Sequence, residues 1–119
     1  MKIKSNHPTL FLSILEDAGI PPPTRELQFD ARPKDGTVRP KVPRGWKFDY
    51  AWKGEKVALE VDGGLYTRGR HVQGAGRRED MRKQTEAAIQ GWRIVYTTPG
   101  DMGSHQNISD IRRARSCAR

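Results

Sequence analysis

The sequence predicts one α/β domain in which helices flank a β-sheet, and three patterns support that class. Residues 46–52 and 57–61 alternate their side chains with the two-residue period of strands. Residues from about 77 to 90 show the three- and four-residue spacing of an amphipathic helix, which Gly91 closes. A chain of 119 residues, of which 34% are hydrophobic, has room for one modest core. We therefore treat residues 1–119 as a single domain.

A short amphipathic helix is expected from about Thr9 to Ala18, followed by three prolines that cannot continue it. Helical spacing places Leu10, Ile14 and Leu15 on its apolar face. The stretch "TRELQFDA" then predicts a first strand. Residues of about 31–45 are rich in Pro, Gly, Lys and Arg without periodicity, and they predict a basic loop. That loop either contacts a phosphate backbone or only adds charge.

The strands at 46–52 and 57–61 are predicted to form a hairpin around the turn "KGEK". The first of them carries aromatic side chains on one face: Trp46, Phe48, Tyr50 and Trp52. Asp49 is expected on the opposite face. In "VALEVDGG" the valines and the leucine share one face, whereas Glu60 and Asp62 share the other.

A helix, a strand and a basic helix complete the predicted order α-β-β-β-α-β-α. One face of the helix "RREDMRKQTEAAIQG" carries Asp80, Lys83, Gln84 and Ala87. The strand "WRIVYTT" is expected to bury, in alternation, Trp92, Ile94 and Tyr96. The last helix covers about 107–119.

The charge of the chain points to a polyanion as its partner. Lys and Arg outnumber Asp and Glu by 22 to 14, which gives a formal charge of +8 and a pI near 10.1. Such a field attracts nucleic acid. The alternative is a solvated basic surface without a dedicated ligand.

The sequence contains no signal for secretion or membrane insertion. The apolar run "TLFLSIL" is short, and Glu16 and Asp17 follow it without a small-residue cleavage site. No run of about 18 apolar residues occurs. The single Cys117 cannot form a disulfide within the chain. A cytoplasmic protein is expected, in the host cytoplasm if a phage encodes it.

Asp49, Glu60 and Asp62 form the most informative group of the sequence. If the three carboxylates share one sheet face, their mutual repulsion is relieved only by protons or cations. Carboxylates in this arrangement suit Mg²⁺, which also binds phosphate oxygens. The alternative is a set of solvent-facing acids paired with Lys47 or Lys56.

The stretches "WKFDYAW", "VALEVDGG", "GRH", "EDMRK" and "GWRIVYTTP" together resemble the PD-(D/E)XK nuclease superfamily, specifically its small phage-type and very short patch repair-like members. The resemblance covers about residues 9–111. It implies a restriction-endonuclease-like core, with a mixed β-sheet flanked by helices. It also implies Mg²⁺-dependent cleavage of phosphodiester bonds, in which Mn²⁺ can replace Mg²⁺.

The resemblance assigns roles to individual residues. Asp49 matches the first motif acid and Glu60 the second, and both would bind the metal. The superfamily usually has lysine two positions after the second acid, where this chain has Asp62, which would assist through metal or water. Lys83 resembles the displaced lysine of divergent members. Lys47, on the face of Asp49, is the other candidate.

The roles of Lys83 and of the loop histidine each have a plainer alternative. Lys83 can be a solvated helix residue paired with Asp80 or Glu79. His71, in "GRHVQG", can act as a general base or stabilise a leaving group, since its pKa lies near neutrality. It can equally be an ordinary surface histidine. One cysteine and three scattered histidines do not predict a structural zinc site.

Four arginines surround the predicted site and can hold the phosphates that flank the cut: Arg68, Arg70, Arg77 and Arg78. Their alternative role is general solubility. No "GxxxxGK" or dinucleotide fingerprint is present, so the sequence does not support nucleotide-driven chemistry.

The function predicted from these residues is a Mg²⁺-dependent DNA endonuclease. So small a chain has no evident second domain that reads a long base sequence, which favours structured DNA, as in Holliday-junction resolvases or nicking repair enzymes. A two-fold symmetric branch would favour a homodimer. The main alternative is a nucleic-acid-binding module that retains the fold without cleavage. RNA is a third possibility.

Overall fold

The structure is a computed structural model that describes residues 8–30, 46–63 and 75–117. The helices and strands, in chain order, are α1 (Pro8–Asp17), β1 (Thr24–Asp30), β2 (Trp46–Trp52), β3 (Val57–Val61), α2 (Ala75–Ile89), β4 (Arg93–Thr97) and α3 (His105–Cys117). This confirms the predicted α/β class and the order α-β-β-β-α-β-α. In the described ranges, every helix is too short or too polar to cross a membrane.

The four strands form one mixed sheet in the order β1-β2-β3-β4. The β1–β2 and β2–β3 pairs are antiparallel, whereas β3 and β4 are parallel. The parallel pair requires a crossover, which contains α2. In the β3–β4 register Glu60 lies beside Tyr96. The register therefore places both residues at the same end of the sheet, where β3 and β4 finish.

Two hydrophobic clusters cover the two faces of the sheet. The larger cluster joins the sheet to α1 and α3, and its fully buried side chains include Phe11, Leu15, Leu59 and Ile111. The smaller cluster contains Phe48, Ala51, Ala58 and, from α2, Ala87. Within the described ranges, α2 is the helix that packs on this face of the sheet, through Ala87.

The predicted apolar face of helix α1 is confirmed at Ile14 and Leu15 but is wrong at Leu10, in whose place Phe11 is buried. Leu10 is 49% exposed, whereas Phe11 and Leu15 are buried and Ile14 is partly buried. Phe11 and Leu15 are four residues apart and therefore share a face. Phe11 also packs edge-on against Tyr50, with the ring centroids 5.1 Å apart. This aromatic contact sets the rotation of the helix.

The aromatic residues of β2 do not share one face, contrary to the prediction. Phe48 packs on the α2 side of the sheet, and its ring stacks on Phe29 with the centroids 4.1 Å apart. Tyr50 and Trp52 pack on the side of α1 and α3. The two-residue alternation is therefore interrupted between Phe48 and Tyr50, at Asp49.

Candidate functional site

Strands β2 and β3 stop pairing through their backbones at the two predicted acids. The ladder runs from the Trp52–Val57 pair to the Tyr50–Leu59 pair. At the next position the side chains replace it: the Val61 N–H donates to Asp49 Oδ2 over 2.8 Å, and the Asp49 N–H donates to Glu60 Oε2 over 3.1 Å. Each carboxylate thus satisfies a backbone N–H of the neighbouring strand. The interruption explains the change of face along β2 and holds the two acids side by side.

Lys83 reaches this pair of acids from α2. Its Nζ lies 2.9 Å from Glu60 Oε1, and the two side chains are 21% and 19% exposed. The ammonium also lies 5.8 Å from the centroid of the Phe48 ring. Glu79, one alternative partner considered for Lys83, instead accepts a hydrogen bond from Trp46 Nε1. Helix α2 therefore brings a lysine to Glu60, which lies 23 residues earlier in the chain.

Lys47 occupies a different environment. Its Nζ lies 3.4 Å from Glu26 Oε1 on β1, and both side chains are about half exposed. Glu26 has a φ of 53°, and with Asp49 it lines a depression next to Gly63. Of the two lysines considered from the sequence, the structure thus brings Lys83 to Glu60 and pairs Lys47 with Glu26.

Glu60 and Asp62 line one pocket on the α2 side of the sheet. Its other polar lining residues are Asp80, Lys83, Gln84 and Tyr96. Asp62 follows β3, and its N–H donates to Thr97 O over 2.7 Å. Asp49 contacts Glu60 but lines the neighbouring depression, so the three carboxylates do not open into one space.

Sequence reasoning did not give Gln84 or Tyr96 a place in the site. The helical face shared by Asp80, Lys83 and Gln84 was the available signal for Gln84. Tyr96 was expected to be buried, yet it is 52% exposed. It lies at the end of β4, and the side chains of α2 that line the same pocket are the polar Asp80, Lys83 and Gln84.

The pKa of Glu60 is raised above its usual value. Burial of the carboxylate is the largest cause, and the nearby negative charge of Asp49 acts in the same direction. The hydrogen bond and positive charge of Lys83 oppose both. Burial therefore disfavours the ionised form of Glu60, and the positive charge of Lys83 stabilises that form.

We expect the Glu60 carboxyl of the metal-free protein to titrate above pH 4.5, the ordinary value for the group. Lys83→Met should raise that midpoint further and Asp49→Asn should lower it. Carbon-detected NMR of the Glu60 side chain measures all three. Because the folded state binds this proton more tightly than the unfolded chain, the associated stability is present below the unfolded pKa and is lost as pH rises through the folded pKa. A midpoint insensitive to both substitutions would contradict the geometry.

Asp49 and Glu60 lie side by side and can each offer a carboxylate oxygen to a hard divalent cation that retains much of its water, although their side chains open into neighbouring spaces. Asp49 Oδ1 accepts no hydrogen bond within the described ranges, and Glu60 Oε1 contacts only the ammonium of Lys83. Mg²⁺ typically binds one or two carboxylates together with waters and substrate phosphates. In the described part of the chain, His, Cys, Asp and Glu form no group of three or more that could enclose a metal. The site therefore suits Mg²⁺ shared with a phosphate better than a fully enclosed metal.

Several predicted site residues fall beyond what the structure describes. His71, Arg68 and Arg70 lie outside the described residues, as does the basic loop of about 31–45. Arg77 belongs to α2, but its side chain is outside the description as well. Arg78, in the first turns of α2, is exposed.

Comparisons of the chain with protein-family models, with curated proteins and with solved structures give no significant match.

Proposed function

We propose that this protein is a metal-dependent nuclease that hydrolyses phosphodiester bonds in DNA, with Asp49 and Glu60 as metal ligands. The observation that carries the proposal is the interrupted β2–β3 ladder, where both carboxylates lie together and Lys83 is 2.9 Å from Glu60. The sequence resemblance to PD-(D/E)XK nucleases selected the same two acids. The mixed sheet and the order of the elements are compatible with the fold that this resemblance implies.

The residues of the site divide the chemistry between them. Asp49 and Glu60 would hold Mg²⁺, which when bound supplies Lewis-acid activation of water and stabilises charge on the phosphate. Lys83 carries a positive charge on a helix, directed at the same centre. It can stabilise a developing anionic oxygen. Asp62 and Asp80 line the pocket and can orient water through hydrogen bonds.

The contact between Lys83 and Glu60 also bears on position 62, where the PD-(D/E)XK pattern usually has lysine and this chain has Asp62. A lysine that reaches Glu60 from α2 supplies a positive charge at the second acid. Asp62 at the usual lysine position is therefore no argument against catalysis. This favours a nuclease over the alternative of a module that only binds nucleic acid.

The charge distribution supports a nucleic acid as the substrate. The chain carries a formal charge of +8, yet the pocket is lined by Glu60, Asp62 and Asp80. A phosphate enters so acidic a pocket only when a cation accompanies it. The basic surface would attract the phosphate backbone of the nucleic acid. The acidic pocket would bind one of its phosphates only together with the metal.

Affinity for duplex DNA should decrease steeply as salt increases, since displaced counterions drive the binding of cationic side chains to phosphates. Replacing Arg70, Arg77 and Arg78 together by Gln should make the slope of log K against log salt shallower by about 0.9 for each phosphate that is no longer neutralised. Fluorescence anisotropy at several salt concentrations measures the slope. Lys53→Gln, in the exposed β2–β3 turn, is the control. An unchanged slope would place the DNA-binding surface elsewhere.

A panel of labelled DNA substrates, incubated with Mg²⁺, with Mn²⁺ and with EDTA, tests the proposal. The panel contains duplex, nicked, mismatched, flapped and four-way branched DNA. We expect cleavage only with a divalent cation, and faster cleavage of the structured substrates than of intact duplex. Binding without cleavage of any substrate under any condition would overturn the proposal and favour the binding module. A parallel RNA panel addresses the third possibility.

A further inference from the structure

A half-exposed aromatic ring lies beside the proposed catalytic centre. Tyr96 is 52% exposed and is paired with Glu60 in the β3–β4 register. It lines the pocket that contains Glu60 and Lys83, and Gln84 of α2 lines the same pocket. The ring is thus exposed to solvent one strand away from a proposed metal ligand.

A second groove begins at the same ring. Tyr96 and Asp62 line both the catalytic pocket and this groove. The groove extends between β4 and α3 with a volume of about 390 Å³, within the range of about 300 to 1,000 Å³ that is usual for small-molecule sites. Its remaining polar lining residues include Thr97, Thr98, Asp101, Ser104, Asn107 and Asp110. Tyr96 therefore forms a wall shared by the two spaces.

The chemistry of the groove disfavours phosphate and favours a neutral ring that donates hydrogen bonds. Three carboxylates line it, from Asp62, Asp101 and Asp110, and its lining in the described part of the chain contains no Lys or Arg. Carboxylates repel phosphate but accept hydrogen bonds from the amino and imino groups of nucleobases. Hydroxyl groups of the threonines and Ser104 can either donate or accept.

Asn107 provides a separate indication of a ligand. Its side chain lines the groove and is only 3% exposed, and its Oδ1 accepts a hydrogen bond from Gly103 N–H over 2.9 Å. Its Nδ2 has no hydrogen-bond partner in the described part of the chain. A buried donor without a partner is costly. The groove thus borders a buried donor that has no partner in the described part of the chain.

We propose that Tyr96 and this groove receive one unstacked nucleobase of the DNA, adjacent to the bond that is cut. The inference depends on the proposed nuclease function and narrows its substrate to DNA with an unpaired or readily unstacked nucleotide at the cleavage position. A base stacked on the Tyr96 ring enters the groove, while its backbone phosphate stays beside Glu60 and Lys83. Stacking on an aromatic side chain is worth roughly 5- to 150-fold in affinity.

Base insertion can be measured without cleavage, in an Asp49→Asn background. The probe is a branched DNA with 2-aminopurine at the unpaired nucleotide, compared with the same sequence as intact duplex. Stacking on Tyr96 should quench the fluorescence of the branched probe. Tyr96→Ala should abolish the quenching and weaken branched-DNA affinity by about tenfold, with little change for duplex. Tyr96→Phe and Tyr96→Trp should retain both properties. Met81→Ala, which removes another half-exposed apolar side chain, is the control.

The outcomes separate this inference from the nuclease proposal. The base-insertion inference is wrong if Tyr96→Ala in the Asp49→Asn background quenches the probe and binds it as Asp49→Asn alone does. If the wild-type protein also cleaves DNA, the nuclease proposal stands. If spermidine or Mg²⁺ shifts the Asn107 side-chain NMR signal and the branched DNA does not, the groove binds a cation and the inference is overturned. If the parent neither binds nor cleaves any DNA, both proposals fail. Movement of the Asn107 signal by the branched probe alone supports base insertion.

Discussion

Asp49→Asn and Glu60→Gln should each reduce Mg²⁺-dependent DNA cleavage by about 10³-fold or more, since a bound metal contributes several kcal/mol to stabilising the transition state. DNA affinity should change little, because neither residue is a phosphate-binding cation. Gel assays under single-turnover conditions measure the rate, and calorimetry should show that Mg²⁺ binding is lost with it. Glu16→Gln, an exposed acid on α1, is the matched control.

The amide variants are preferable to alanine because of the hydrogen bonds at the interrupted ladder. In Asp49→Asn the side-chain amide oxygen can still accept from the Val61 N–H, and in Glu60→Gln it can still accept from the Asp49 N–H. Asp49→Ala leaves the Val61 N–H without its acceptor, which should cost about 1 to 3 kcal/mol of folding free energy. Thermal unfolding separates the two effects. If either amide variant cleaves at the parental rate, the residue that it replaces is not a ligand of the catalytic metal.

The parts of the fold predicted correctly are those with a local signal. The hairpin around "KGEK" and the order of the elements follow from two-residue periods and turn residues, and both are confirmed. Helix α2 follows from its three- and four-residue spacing and from Gly91, which has a φ of 90°. The same spacing placed Asp80, Lys83 and Gln84 on one face of the helix, and all three line the pocket.

The errors concern features that depend on contacts between distant elements. The change of face at Asp49 arises because Glu60 and Val61, on another strand, hydrogen bond to it. No period within β2 contains that information. Likewise, Leu10 and Phe11 are both apolar, and the ring of Tyr50 favours the burial of Phe11. Tyr96 was expected inside because alternation indicates a face, but only the position of α2 shows whether that face is covered.

Lys83→Ala should slow single-turnover cleavage by roughly 10²-fold, the effect typical of removing one preorganised electrostatic group. Its ammonium is 2.9 Å from Glu60, a proposed metal ligand. A phosphodiester bound there would develop negative charge on the attacking water or on the leaving oxygen, within reach of this ammonium. An interaction that strengthens in the transition state changes the rate far more than the affinity. Lys47→Ala, which removes the surface pair with Glu26, should cleave at nearly the parental rate.

Loss of Lys83 has a second effect, and the pH dependence distinguishes it. Without the ammonium, burial and Asp49 raise the pKa of Glu60 without opposition from Lys83, which weakens metal binding at low pH. If Lys83 acts only by keeping Glu60 ionised, the activity of Lys83→Ala should recover fully as pH or Mg²⁺ concentration increases. If it acts on the transition state, the defect should persist at alkaline pH with saturating Mg²⁺. Parental cleavage by Lys83→Ala together with an inactive Lys47→Ala would move the catalytic lysine to β2, beside Glu26.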